Sequence, residues 1–115
     1  MRVAVVGADA MSLVLLEEQI AELGHHLCGC ASTLEEALDL LGACGPEVVI
    51  LDPYFDSTLI DPEWRDRLLR TARFRLVLMG IDPERNRELV QRLQPIGVIG
   101  SPPLDGELKN ALKEV

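Results

Sequence analysis

Gly45-Pro46-Glu47-Val48-Val49-Ile50-Leu51-Asp52-Pro53 is the stretch from which the rest of the chain is read. Gly45-Pro46 ends any helix before it, because proline lacks an N–H and disfavours helical backbone in its predecessor. Val48-Val49-Ile50-Leu51 is then uniformly apolar, with three β-branched residues and a sharp stop at Asp52-Pro53. Such a short run without polar alternation predicts a strand buried on both faces, and therefore a parallel sheet with helices on each side.

The same grammar recurs in both directions. Arg2–Val6 is a Val-rich run closed by Gly7, and Leu27–Ala31 is a second short strand. Between them, Met11–Leu23 carries Leu13, Leu16, Ile20 and Leu23 at helical spacing and ends at Gly24, a usual residue just past a helix end. Ser32 or Thr33, with Glu35 or Glu36 as the reciprocal acid, predicts a capped helix through Ala37, Leu38 and Leu41. Asp61-Pro62-Glu63 starts a third helix to about Ala72, followed by the strand Leu76–Met79 and Gly80. Asp82-Pro83-Glu84 repeats the cap-plus-proline start for a fourth helix with Leu89, Val90 and Leu93. Gly97–Gly100 is the fifth strand, and Leu104–Glu114 the fifth helix. The expected fold is α/β: a flavodoxin-like, doubly wound (βα)5 sandwich with a five-stranded parallel sheet, one domain over residues 1–115.

Composition narrows the function classes. The chain has 115 residues, 48% of them hydrophobic, so it can bury a real core; no apolar run is long enough to cross a membrane. The N-terminal apolar run is too short for a signal peptide, and a cytoplasmic location is expected. A net charge of −8 argues against direct binding of nucleic acid. The charge is also split: residues 1–64 hold one base and twelve acids, residues 65–115 ten bases and seven acids. Such polarity favours docking against another protein, although solvated helix faces account for it equally well.

Three cysteines, Cys28, Cys30 and Cys44, make no even disulfide set, and core packing is their expected role. On a regular strand, His26, Cys28 and Cys30 share one face, which would suit a soft metal, but no second ligand pair at finger or ribbon spacing closes a site. No Ser-His-Asp set, zinc-protease motif, P-loop or G-x-G-x-x-G fingerprint occurs, so no enzyme activity and no cofactor are expected.

In a doubly wound sheet the functional crevice lies at the carboxyl ends of the strands. There the sequence resembles the receiver domains of two-component response regulators, as an atypical, pseudo-receiver member. The resemblance rests on Leu27–Leu41, which looks like a receiver's second strand and helix, and on Gly45–Asp52, which matches the run into the phosphoacceptor aspartate. It extends over the whole chain and is poorest just after Asp52, where Pro53-Tyr54-Phe55-Asp56-Ser57-Thr58 stands. It implies a bacterial signalling or phosphorelay protein.

The receiver reaction needs an acidic pair for Mg²⁺, an aspartate, a hydroxyl and a lysine. Carried over, the acidic pair falls on Gly7 and Ala8, with Asp9 one position late. The phosphoacceptor position keeps Asp52, the hydroxyl position falls on Met79, and the lysine position on Ser101, followed by the retained Pro102. A dianionic phosphoryl group among carboxylates needs a metal and a cation for charge compensation, and each lost group costs several kcal/mol at the transition state. Met79 is expected to fill the phosphoryl space. Asp52 either binds a cation with Asp9 or is a leftover carboxylate bonded to its own loop.

The implied function is regulation by protein–protein contact or dimerisation, without ordinary aspartyl phosphorylation. The partner is another protein, an attached effector domain or a second copy, docked through the fourth and fifth helices by Arg85, Glu88, Arg92, Glu107 and Lys109. Trp64, Arg65, Arg67, Arg70 and Arg73 supply a second charged surface. Two alternatives stay open: an atypical but working phosphoacceptor with Mg²⁺ on Asp9 and Asp52, and a small-ligand-binding flavodoxin-like domain.

Overall fold

A computed structural model of the chain describes residues 1–54, 74–100, 103 and 106–113. Five strands, β1 (Arg2–Val6), β2 (His26–Ala31), β3 (Val48–Leu51), β4 (Arg75–Met79) and β5 (Gly97–Ile99), form one sheet in the order β2-β1-β3-β4-β5. Every pairing is parallel. The described helices are α1 (Ala10–Glu22), α2 (Leu34–Cys44), α3 (Arg87–Leu93) and α4 (Glu107–Leu112). The last two are the fourth and fifth helices expected from sequence. The third, with Trp64, Arg65, Arg67, Arg70 and Arg73, lies outside the described residues.

The sheet is sandwiched as its composition demands. All four residues of β3 are buried, as are all but the first of β1 and β4. Alternation then sorts them into two layers. Val3, Val5, Ile50, Val77, Met79 and Ile99 pack with Leu16 and Ile20 of α1 and Leu108 of α4. Ala4, Val6, Val49, Leu51, Leu76 and Leu78 pack with Ala37 and Leu41 of α2 and Leu93 of α3. Helices thus cover both faces, and the apolar run of each central strand is consumed on both sides.

Helix ends follow local chemistry. Thr33 Oγ1 accepts the Glu36 N–H at 3.1 Å, while Glu36 Oε2 accepts the Ser32 N–H at 3.0 Å, one residue further back than a standard capping box. Gly45, in the left-handed region at φ 59°, closes α2. The Asp82-Pro83 start differs from expectation. Asp82 Oδ1 accepts the Glu84 N–H at 2.9 Å, a local turn that spends the cap early, and α3 begins only after Asn86, whose φ of −119° interrupts the helical run.

The cysteines take the core places expected of them only in part, Cys44 being buried and Cys28 packed against the core. A bulge sits between Val3, paired with Leu27, and Ala4, paired with Gly29, so Cys28 is an extra residue in edge strand β2. One inserted residue reverses the facing of the residues after it, so Cys30, paired with Val5, faces away from the side that Cys28 takes, and His26, Cys28 and Cys30 do not line one face. Cys28 packs in the α2 layer and is disulfide-bonded to Cys44, whereas Cys30 is an exposed free thiol rather than a core residue. Among the described residues no group of three His, Cys, Asp or Glu side chains is placed to hold a metal.

Candidate functional site

The chain leaves β1 toward β2 on one side, while β3, β4 and β5 build outward on the other. The reversal opens a crevice between the ends of β1 and β3, the place where doubly wound sheets bind ligands. Residues 7–9 and 52–54 form its two lips. The Asp52 N–H donates to the Val6 carbonyl at 3.0 Å and the Gly7 N–H to the Ala31 carbonyl at 2.9 Å, so both lips are tied to the strand ladder.

Each expected site residue has a definite setting. Gly7 has φ 89°, a left-handed conformation that an acidic side chain would adopt only with strain. Ala8 packs against the α1-side layer. Asp9 is the N-cap of α1, with Oδ1 accepting the Ser12 N–H at 2.7 Å. Asp52 Oδ1 accepts the Tyr54 N–H at 3.0 Å in a turn of its own loop. Met79 is 0% exposed and belongs to the core beside Val77 and Ile99. The residue at the β4 lip is instead Gly80, exposed and at φ 77°. Ser101 and Pro102 lie outside the described residues.

Asp52 and Asp9 meet electrostatically. The Asp52 carboxyl is raised above its ordinary value, first by burial; the Tyr54 N–H opposes this, and the Asp9 charge adds to the rise. At low pH Asp52 is protonated in both folded and unfolded chains, and the site carries no charge penalty. As pH rises through the raised folded value, the folded chain must ionise a carboxylate that burial and Asp9 disfavour, and stability declines. Asp52→Asn, which keeps an acceptor for Tyr54, is therefore expected to be more stable than the parent near neutral pH. The gap should close in acid, below the ordinary carboxylate pKa of 3.8, in paired urea melts.

Tyr54 stands at a strand end where the crevice is expected, but nothing in the sequence points to its contact with Asn86. Tyr54 is 47% exposed, and its hydroxyl donates to Asn86 Oδ1, while Asn86 Nδ2 donates to the Asp82 carbonyl at 2.8 Å. The pair straps the β3 loop to the turn before α3. Met11 and Val14 of α1 are exposed by 74% and 57%, an apolar rim that helical spacing alone does not reveal.

Of the expected interface residues, Glu88 and Arg92 lie on α3, Glu107 and Lys109 on α4, and Arg85 in the turn before α3. Glu88 and Arg92 of α3 pair with each other at 2.6 Å, and Arg85 pairs with Asp82 at 3.7 Å. Exposed pairs of this kind contribute little to stability and leave the charges on the surface. On α4, Glu107 Oε1 accepts the Gly100 N–H at 3.3 Å, turning toward the end of β5, while Lys109 lines a surface cavity of about 400 Å³ with Leu23 and His25.

Neither protein-family models nor curated proteins give a match to the sequence. Solved structures do match in fold. The signal receiver domain of a modulated diguanylate cyclase from Desulfovibrio desulfuricans G20 superposes with a TM-score of 0.81 at 18% identity, over 98% of this chain and 90% of that one. The response regulator PhyR from Brucella abortus gives 0.80 at 21% identity over 98% of this chain; this chain spans 46% of PhyR. A chain from the complex of the CheA3 P1 domain with CheY6 from R. sphaeroides gives 0.77 at 21% identity, covering 98% and 94%. The chain has the fold of response-regulator receiver domains.

Proposed function

We propose that this chain is a pseudo-receiver: a bacterial, cytoplasmic signalling domain that acts by contact with a protein partner, an attached effector domain or a second copy, without Mg²⁺-dependent aspartyl phosphorylation and without catalysis of its own. The observation that carries this reading is the donor set in the crevice. Gly7 and Ala8 offer no oxygen ligand, the Asp9 carboxylate is engaged in capping α1, and Met79 is withdrawn into the core. The residues present do not fit the Mg²⁺ site of a phosphorylating receiver, a hard cation that demands several oxygen ligands in near-octahedral array.

The split charge and the solved relatives support contact as the mode of action. A receiver-fold neighbour comes from a complex with a P1 domain, and another, PhyR from Bartonella quintana, is described as an anti-anti-sigma factor. The face made by α3, β5 and α4, with Arg85, Glu88 and Arg92 in its charge pattern, is the proposed docking surface, for a partner or for a homodimer; Lys109 stands apart from them, beside the end of α1. The competing reading, a working phosphoacceptor, draws on Asp52 standing at the switch point with Asp9 near enough to perturb it. An amide-resolved NMR titration with Mg²⁺ separates the two: the pseudo-receiver leaves residues 7–9 and 52–54 unmoved at millimolar metal, whereas the phosphoacceptor shows saturable shifts there.

A further inference from the structure

Cys28 and Cys44 stand next to one another, at two points where the β2–α2 unit departs from regular geometry. Cys28 is the bulge residue of an edge strand, and Cys44 is the last residue of α2, directly before left-handed Gly45. Their Cα atoms are 6.3 Å apart, inside the range a disulfide spans without backbone movement. The same spacing also accommodates two thiols. The surrounding sheet does not require the bond, because β1, β3 and β4 are held by apolar layers on both faces.

We propose that Cys28 and Cys44 form a reversible thiol-modification site, which closes and opens by exchange with low-molecular-weight disulfides and thiols while the sheet stays folded. Cys28 is the more open of the two, and Cys44 is 9% exposed, which sets the order of events. The Cys28 thiolate attacks an external disulfide RSSR, forming Cys28–S–S–R and releasing RS⁻. The Cys44 thiolate then attacks the Cys28 sulfur, forming Cys28–S–S–Cys44 and releasing the second RS⁻. Two protein thiols are oxidised, RSSR is reduced to two thiols, and the two protons lost by the cysteines are taken up by the departing RS⁻ groups. Two RSH molecules reverse the sequence.

Closure pins the C-terminal turn of α2 to the sheet edge. Opening leaves that turn to the Leu41 side chain and the Gly45 cap, whose N–H donates to the Leu41 carbonyl at 3.2 Å. The site is independent of any phosphorylation chemistry at Asp52.

The test equilibrates the chain, carrying Cys30→Ser to remove the exposed thiol, in glutathione buffers of graded poise. Acid quenching, alkylation and peptide mass analysis then read the cysteines, and hydrogen exchange reads the amides. The expected result is one transition in which Cys28 and Cys44 become unalkylatable together, with amide exchange around 27–29 and 41–44 about tenfold faster in the reduced form and the β3 and β4 amides unchanged. Cys28→Ser, which cannot close, should reproduce the reduced exchange pattern at every poise. The proposal is overturned if no 28–44 cross-linked peptide forms at any poise, if the bond persists in the folded chain under excess dithiothreitol, or if reduction speeds exchange across the whole sheet.

Discussion

Ile50→Ala is expected to destabilise the chain by about 3–4 kcal/mol, within the usual cost of truncating a fully buried isoleucine. Ile50 stands opposite Val5 of β1 and Val77 of β4, is 0% exposed, and belongs to the layer that packs beneath α1. It therefore has hydrogen-bonded strands on both sides and a helix above, and the surroundings have little freedom to collapse into the cavity. Against a typical total of about 5–15 kcal/mol, that loss is a large fraction. Urea unfolding should show a lower midpoint at unchanged slope, since the surface exposed on unfolding is nearly the same. Ile50→Val, which removes one methylene, should cost about 1 kcal/mol.

The second large effect lies at Met79. Met79→Thr places a hydroxyl where the family resemblance puts the phosphoryl-binding residue, and is expected to lose about 2–4 kcal/mol without gaining any phosphoryl-binding character. The side chain shares its layer with Val77, Ile99 and Leu108, so the substitution leaves a void and buries a hydroxyl among hydrocarbon. A residue exposed at the crevice would tolerate the same change within about 0.5 kcal/mol. Urea melts of the variant beside the parent distinguish the two settings.

Short, uniformly apolar runs bounded by breakers make most of the architecture legible. Val48–Leu51 is uniformly apolar because both of its faces are covered, and the same reasoning located β1 and β4 to within a residue. Alternation also bears on Met79, since Arg75, Val77 and Met79 share a side of β4 and Val77 is core. The expectation that Met79 fills a phosphoryl space arose from family resemblance, and its burial beside Ile99 assigns it to packing. Asp9 illustrates a related point. It precedes α1 as an N-cap should, but its neighbourhood to the acidic-pair position directed attention to metal binding, whereas the Ser12 N–H holds it.

Other features had no local signal. The bulge at Cys28 reverses side-chain facing through one inserted residue, and the residues themselves read like a regular strand. The exposure of Cys30, which follows the bulge, goes with that reversal. Tyr54 and Asn86 are 32 positions apart and meet only because β3 and β4 are neighbours in the sheet. Asp82-Pro83 carries a strong helix-start pattern, but Asp82 uses its side chain on Glu84 in a tighter turn, a competition between cap and turn that composition alone does not decide.

The chemistry of the crevice is tested most directly by beryllofluoride, a phosphoryl mimic that needs Mg²⁺ and an accessible aspartate. In ¹⁵N-resolved spectra of the whole chain with Mg²⁺ and beryllofluoride, a pseudo-receiver is expected to give no saturable shift at Gly7, Ala8, Asp9, Asp52 or Gly80, and none propagating to α3 or α4. Saturable shifts that begin at Asp52 and spread to those helices would contradict that reading, and would make this chain a phosphoacceptor built on an unusual set of ligands.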